Sequence, residues 1–149
     1  MDSQKPSRKQ VEARRSLSLM KRMLVGVRTH LDDELRAEGV TTAQLRFLYE
    51  LRERPGSSGA QLARACYVTP QSAQTMMKRA LERGWIVRGT DPENGRLVTS
   101  RLTVRGEKLM ARVDALLMQL EAEVWSGVSL DSLRQMNATI EAALKKLRT

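Results

Sequence analysis

The sequence has little of what most enzymes and metal proteins depend on. Its 149 residues include one cysteine, Cys66, and one histidine, His30. One cysteine cannot form an internal disulfide, and the two residues together provide too few ligands for a metal site. Nothing in the spacing places a nucleophile beside a base, so the sequence predicts neither an enzyme nor a cofactor. Cys66 is expected to be a small buried residue, with a redox sensor as the alternative. His30 is expected to be solvated, with a place in an effector pocket as the alternative.

Long apolar runs are also missing. No run approaches the roughly 18 residues that a membrane span needs. The N-terminal residues MDSQKPSRKQVEARRS contain no apolar core of a secretory signal. A membrane-surface helix would carry Trp or Phe opposite a basic face, and none is apparent. The expectation is a cytoplasmic protein without a membrane partner.

Acidic residues are the scarcer charged class. The chain has 26 Lys and Arg against 17 Asp and Glu, a formal charge of +9. The excess is largest in residues 41–103, where ten basic residues face five acidic ones. A basic surface attracts polyanions, and the DNA phosphate backbone is the usual one.

Hydrophobic spacing predicts long amphipathic helices at both ends of the chain, after a flexible basic tail at residues 1–9. A first helix is predicted over residues 10–37, ended by Gly39, with an apolar row that needs a cover. Thr103 and Ser129 are expected to cap a fifth and a sixth helix. The apolar row of the first helix is Leu17, Met20, Leu24, Val27, Leu31 and Leu35.

Residues 41–103 predict a winged helix-turn-helix module. Capping boxes at Thr41/Gln44 and Ser58/Gln61 open two helices, and Thr69-Pro70 opens a fourth helix that ends at Gly84. A short helix, a tight turn and a capped helix form a helix-turn-helix. Two strands follow, at residues 85–88 and 97–102, joined by a tight turn at Asn94-Gly95. The predicted fold is mainly α with a two-stranded β-wing.

The fourth helix has an inward apolar row and an outward polar face. Recognition helices place their N-terminal residues on base edges in the major groove. Gln can pair with adenine, Ser and Thr with several polar edges, and Lys or Arg further back with phosphates. The predicted DNA-binding residues of this helix are Thr69, Gln71, Ser72, Gln74, Thr75, Lys78 and Arg79. A merely solvated face is the alternative, and the helix-turn-helix context favours DNA.

Arginines on the wing extend the predicted interface. Arg96 lies near the hairpin tip, where it can enter the negative minor groove. The alternative for Arg96 is a solvated arginine paired with Asp91. Arg88 fits a DNA contact and a solvated position equally well, and we include it in the predicted interface.

The sequence resembles the MarR family of bacterial and archaeal regulators over residues 10–149. The resemblance is clearest in three stretches: LERGWIVR at residues 81–88, DPENGR at residues 91–96 and LTVRG at residues 102–106. These match the family's run of a Gly-ended helix, a wing with its arginine, and an L-T-x-x-G start of the next helix. Arg96 matches the wing arginine. Asn94 stands where the family has Asp, which removes the carboxylate that normally braces the wing.

This resemblance implies a homodimer whose first, fifth and sixth helices interdigitate, with two winged modules facing one DNA duplex. It also implies control of nearby genes, often relieved by a small phenolic ligand. Residues 10–40 and 104–149 are therefore predicted to dimerise, and residues 41–103 to bind DNA at a pseudo-palindromic operator. The alternative is a winged-helix module for protein–protein contact or sequence-neutral DNA binding.

Overall fold

The computed structural model describes residues 5–147, and within them the chain forms six α-helices and three short strands. The helices are α1 (Arg8–Glu34), α2 (Thr42–Glu53), α3 (Gly59–Cys66), α4 (Pro70–Glu82), α5 (Val104–Val124) and α6 (Leu130–Leu147). The strands are β1 (Ser57–Ser58), β2 (Ile86–Thr90) and β3 (Val98–Leu102). The mainly α fold with a β-wing is confirmed. Within residues 5–147, no helix combines the length and the apolar composition that a membrane span requires.

Side chains cap α2 and α3 as predicted. The Thr41 hydroxyl accepts from the Gln44 backbone N–H at 3.3 Å, and the Gln44 side chain accepts from the Thr41 N–H at 3.1 Å. Ser58 and Gln61 make the same reciprocal pair at 3.2 and 2.8 Å. Each pair satisfies two backbone N–H groups that lack partners within the helix, which fixes the residue where each helix begins.

The first helix differs from the prediction at both ends. It begins at Arg8 because Ser7 and Gln10 form a capping box that was not predicted. The tail predicted over residues 1–9 therefore extends two residues too far, and its residues 1–4 lie outside the described part of the chain. Its α-helical part ends at Glu34, and a 3₁₀ turn at Arg36–Glu38 follows. Gly39 closes that turn with φ of 67°, a left-handed conformation that glycine adopts without steric cost.

The wing belongs to a three-stranded antiparallel sheet, so the two-stranded prediction was incomplete. β2 and β3 pair from Ile86 opposite Leu102 to Thr90 opposite Val98. β1 adds to the other edge of β3, with Ser57 opposite Ser100. A two-residue strand is too short to show alternation. Its second residue, Ser58, also caps α3. The sequence predicted the capping role of Ser58 but not its place in a strand.

The predicted tight turn at Asn94-Gly95 is wrong. Gly95 lacks the positive φ that such a turn requires. β2 and β3 are joined by a longer loop in which the Asp91 carboxylate accepts from the N–H groups of Glu93 and Asn94, at 2.8 and 2.9 Å. The Asn94 side chain in turn accepts from the Arg96 N–H at 3.3 Å. Polar side chains therefore shape the wing tip.

The chain divides into two compact units at a boundary within α5. The chain up to Ala111 forms one compact unit and the chain from Arg112 onward a second. The first unit holds most of the fully buried side chains, among them Leu35, Phe47, Leu48, Leu51, Leu62 and Met110. The predicted division at residues 40 and 103 concerns function and stays a prediction.

Candidate nucleic-acid interface

The start of α4 is held by its own first turn. The Thr69 hydroxyl accepts from the Ser72 N–H at 3.1 Å and donates to the Ser72 hydroxyl at 2.9 Å. Pro70 occupies the first helical position, where its missing N–H costs nothing. Thr69 and Ser72 are both exposed, so two predicted contact residues also fix the helix end that would face a ligand.

The two faces of α4 separate as predicted. Ala73, Met77 and Ala80 are buried, while Met76 and Leu81 are half-buried. The polar face is exposed along its length, at Gln71, Gln74, Thr75, Lys78 and Arg79. A row of polar side chains is therefore presented to solvent by a helix whose other face is anchored in the core.

Part of that polar face and the wing enclose one groove. The groove has a volume of about 480 Å³. Arg88 reaches into it from β2, and its guanidinium donates to the Met77 sulfur at 3.5 Å. The predicted residues that share this groove are Gln71, Gln74, Thr75, Lys78 and Arg88. The structure therefore brings these five together, while the other predicted residues lie outside the groove.

Arg96 is exposed in the loop between β2 and β3, as predicted for a wing-tip residue. Within residues 5–147 no ion pair joins Arg96 to Asp91, which was the alternative partner, and the Asp91 Oδ1 atom accepts from the N–H groups of Glu93 and Asn94. The arginine is thus presented to solvent at the tip of the wing.

The base of the wing is tied to both neighbouring helices. The Thr103 hydroxyl donates to the Gly84 carbonyl at 2.5 Å and accepts from the Gly106 N–H at 3.1 Å. The Thr103 N–H donates to the Trp85 carbonyl at 2.9 Å. A side chain at Gly106 would overlap that same carbonyl. These contacts explain the L-T-x-x-G sequence and keep the wing in register with α4.

Sequence reasoning missed a second basic surface, between α2 and α3. A cleft of about 490 Å³ is lined by Arg46, Arg54, Arg64 and Tyr67, among others. The available signal was the spacing of Arg46, Glu50 and Arg54, which at steps of four share one face of a helix. We name this surface the α2–α3 cleft.

Cys66 is buried, as predicted. Burial raises the pKa of its thiol, and the negative charge of Glu50 acts in the same direction. The nearby Arg46 opposes both effects. The thiol therefore stays protonated at neutral pH, which makes it a poor nucleophile. His30 is exposed on α1.

Comparisons with known proteins agree with this geometry. The family model described as "MarR family" matches residues 38–97. The HTH-type transcriptional repressor Rv2887 of Mycobacterium tuberculosis is 28% identical over 123 residues, covering 83% of this chain and 88% of that protein. The regulator BilQ of Clostridium symbiosum is 26% identical over 103 residues, covering 69% of this chain and 72% of that protein.

Solved structures share the fold. A MarR family transcription regulator superposes with a TM-score of 0.82 at 24% identity, covering 93% of this chain and 91% of that one. Streptococcus pneumoniae FabT, crystallised in complex with DNA, superposes with a TM-score of 0.80 at 15% identity, covering 91% and 97%.

The arrangement of α3, α4 and the β2–β3 hairpin is that of a winged helix-turn-helix protein. Residues 38–97 match the MarR family model, and the relatives named above, Rv2887 and BilQ, are transcriptional regulators.

Proposed function

We propose that the chain is a homodimeric repressor that binds a pseudo-palindromic site in double-stranded DNA. The observation that carries the proposal is the exposed polar face of α4, which lies beside the wing and is capped at the end that would enter the groove. FabT, a structural neighbour, was crystallised with DNA, and the relative Rv2887 is named a repressor.

In this proposal Gln71 and Gln74 read base edges in the major groove. Lys78 and Arg79 neutralise phosphates further along α4, and Arg96 enters the adjacent minor groove. Arg88 lines the protein groove between α4 and the wing. Thr69, Ser72 and Thr75 pack against the duplex while keeping their hydrogen bonds within the helix.

Exposed apolar rows support the homodimer. Leu17 and Leu24 on α1 are 69% and 72% exposed. In the second unit, Leu130 and Leu147 of α6 are 61% and 78% exposed. Apolar rows of this length on long helices are typical of an interface, and a two-fold dimer would place two recognition helices about 34 Å apart on one face of the duplex.

Release by a small phenolic effector, implied by the family, is part of the proposal. The groove between α4 and the wing is where such a ligand would compete with DNA, because it is lined by the base-reading side chains themselves.

The test compares binding to the DNA upstream of the protein's own gene with binding to a random duplex of equal length. At about 150 mM salt, a specific regulator binds its site about 10³-fold tighter or more. Gln74→Ala should cost about 1–3 kcal/mol on the preferred site and little on the random duplex. Equal binding to both duplexes would instead favour the sequence-neutral or protein-binding alternative.

The wing contact has its own test. Arg96→Ala should reduce the slope of log affinity against log salt by about one unit for each phosphate-like contact that the arginine makes. The matched control is Arg134→Ala, on α6, outside the proposed DNA surface. An unchanged slope for Arg96→Ala would remove the wing from the interface.

A further inference from the structure

The side chains that line the α2–α3 cleft carry a net positive charge that their contacts within the chain do not neutralise. Arg46, Arg54 and Arg64 line it together with a single carboxylate, Glu50. Within residues 5–147, the Arg54 and Arg64 side chains form no ion pair. Three arginines against one carboxylate leave the lining of this open cleft with a net positive charge, which attracts an anion.

One of the three arginines is fixed in place. The Arg46 guanidinium donates to the Ala65 carbonyl at 3.5 Å and lies 5.7 Å from the centre of the Tyr67 ring. A cation over an aromatic ring at that distance is attracted by the ring face. Tyr67 itself is 87% exposed and adopts φ of 55°, which is uncommon for a bulky residue. An aromatic ring and a guanidinium are thus presented together at the end of α3.

The position of Tyr67 connects the cleft to α4. Tyr67 follows the last residue of α3 and precedes Thr69, the N-cap of α4, by two residues. Two residues span at most about 7 Å. The major groove is about 12 Å wide. If the N-terminal end of α4 enters the major groove, Tyr67, which lies within about 7 Å of Thr69, is therefore placed beside the phosphates along one edge of that groove.

We propose that the α2–α3 cleft binds backbone phosphates of the same duplex, on the strand that flanks the N-terminal end of α4. Arg54 and Arg64 contact the phosphates, and Arg46, supported by the Tyr67 ring, holds the edge nearest the groove. The inference rests on the proposed DNA binding and extends the footprint beyond α4 and the wing. Glu50 limits the affinity because its carboxylate repels the same phosphates.

The test uses the full chain and the upstream duplex, titrated at several salt concentrations. The double variant Arg54→Gln with Arg64→Gln is expected to lower the salt slope by about one unit per arginine for each protomer engaged. Affinity should fall on the order of tenfold or more for both specific and random duplex. These two side chains are chosen because neither holds an ion pair in the described chain, so the variant should fold normally.

Arg52→Gln is the matched control. Arg52 lies on α2 two residues after Glu50, which lines the cleft, and its guanidinium lies 4.5 Å from the centre of a different ring, that of Tyr49. Two residues turn a helix by about 200°, so Arg52 lies on a different face of α2 from Glu50. Its loss should leave the salt slope unchanged. Glu50→Gln should strengthen binding, because it removes the one carboxylate in the cleft.

The outcomes separate this inference from the proposed function. If the wild-type chain binds no duplex, the proposed function fails first. If the wild type binds DNA and the Arg54/Arg64 variant keeps the wild-type slope, only the cleft inference is overturned. The same holds if inorganic phosphate occupies the cleft while the slope for DNA stays unchanged, since the anion is then not DNA. A reduced slope with an unaffected Arg52 variant supports the phosphate contact.

Discussion

The winged module and the long α1 helix bury their apolar residues to very different degrees. In α2, Phe47, Leu48 and Leu51 are each 1% exposed or less. Over the first two thirds of α1, Leu17, Leu19 and Leu24 are 48–72% exposed, and only Leu31 is buried within the helix. Similar leucine patterns therefore have different partners: in α2 the partner is the same chain, and in α1 we propose that it is a second copy.

The largest expected effect lies inside the module. Phe47→Ala removes a ring that is 1% exposed and should destabilise the fold by about 3–5 kcal/mol, because it loses burial and leaves a cavity. Urea denaturation followed by circular dichroism measures it. The control is Val104→Ala at a position 74% exposed, where a change within about 0.5 kcal/mol is expected. A small effect of Phe47→Ala would mean that the module is not the independently packed region.

The next effect lies on α1 and concerns assembly. Leu17→Glu with Leu24→Glu places charges in the proposed interface. The dimer dissociation constant should rise on the order of 100-fold or more, because each missing anchor occurs twice by symmetry. Sedimentation equilibrium measures it. The matched control is Val87→Glu, because Val87 is an exposed apolar residue of β2, outside the helices predicted to dimerise. If the wild-type chain is monomeric at micromolar concentration, or if the variant dimerises normally, the contrast between the two regions has another cause.

The smallest expected effect is on the pH dependence of stability, through the buried Cys66 of the winged module. Burial holds the pKa of the Cys66 thiol above its ordinary value of 9.0. A raised folded-state pKa means that the folded state favours the protonated thiol, so the associated stability is present below the unfolded pKa. That stability is lost as pH rises through the folded-state pKa.

Two measurements check this. Alkylation of Cys66 by iodoacetamide at pH 8 should be slower in the folded protein than in urea. Above pH 9 the wild type should lose slightly more stability than Cys66→Ala does. Folded-state alkylation as fast as in urea would show that the thiol is accessible and ionised, contrary to its burial.

The local structure could be predicted well from the order of the residues. Helix starts at Thr41, Ser58 and Thr69 could be predicted because a capping residue bonds to an N–H only two or three residues away. The polar face of α4 followed equally from spacing alone, since a helix repeats every 3.6 residues. These features depend on neighbours along the chain, which a single sequence contains.

Contacts between distant segments could not be predicted, because they depend on how the helices and strands pack. β1 exists because Ser57 meets Ser100, and Gly106 is required because the Trp85 carbonyl approaches it. At the wing tip the Leu97 N–H donates to the Asn94 carbonyl at 2.9 Å, so Gly95 and Arg96, rather than Asn94 and Gly95, form the centre of the turn.

The α2–α3 cleft also depends on contacts between segments that are distant in the sequence. Arg46 and Arg64 are 18 residues apart in the sequence, and no periodicity within one helix relates them. Packing of α2 against α3 brings them to one cleft. Local hydrogen bonds and helical spacing are properties of short segments, whereas a surface shared by two helices depends on how those helices pack. For this reason the sequence predicted α4 and its polar face but not the cleft between α2 and α3.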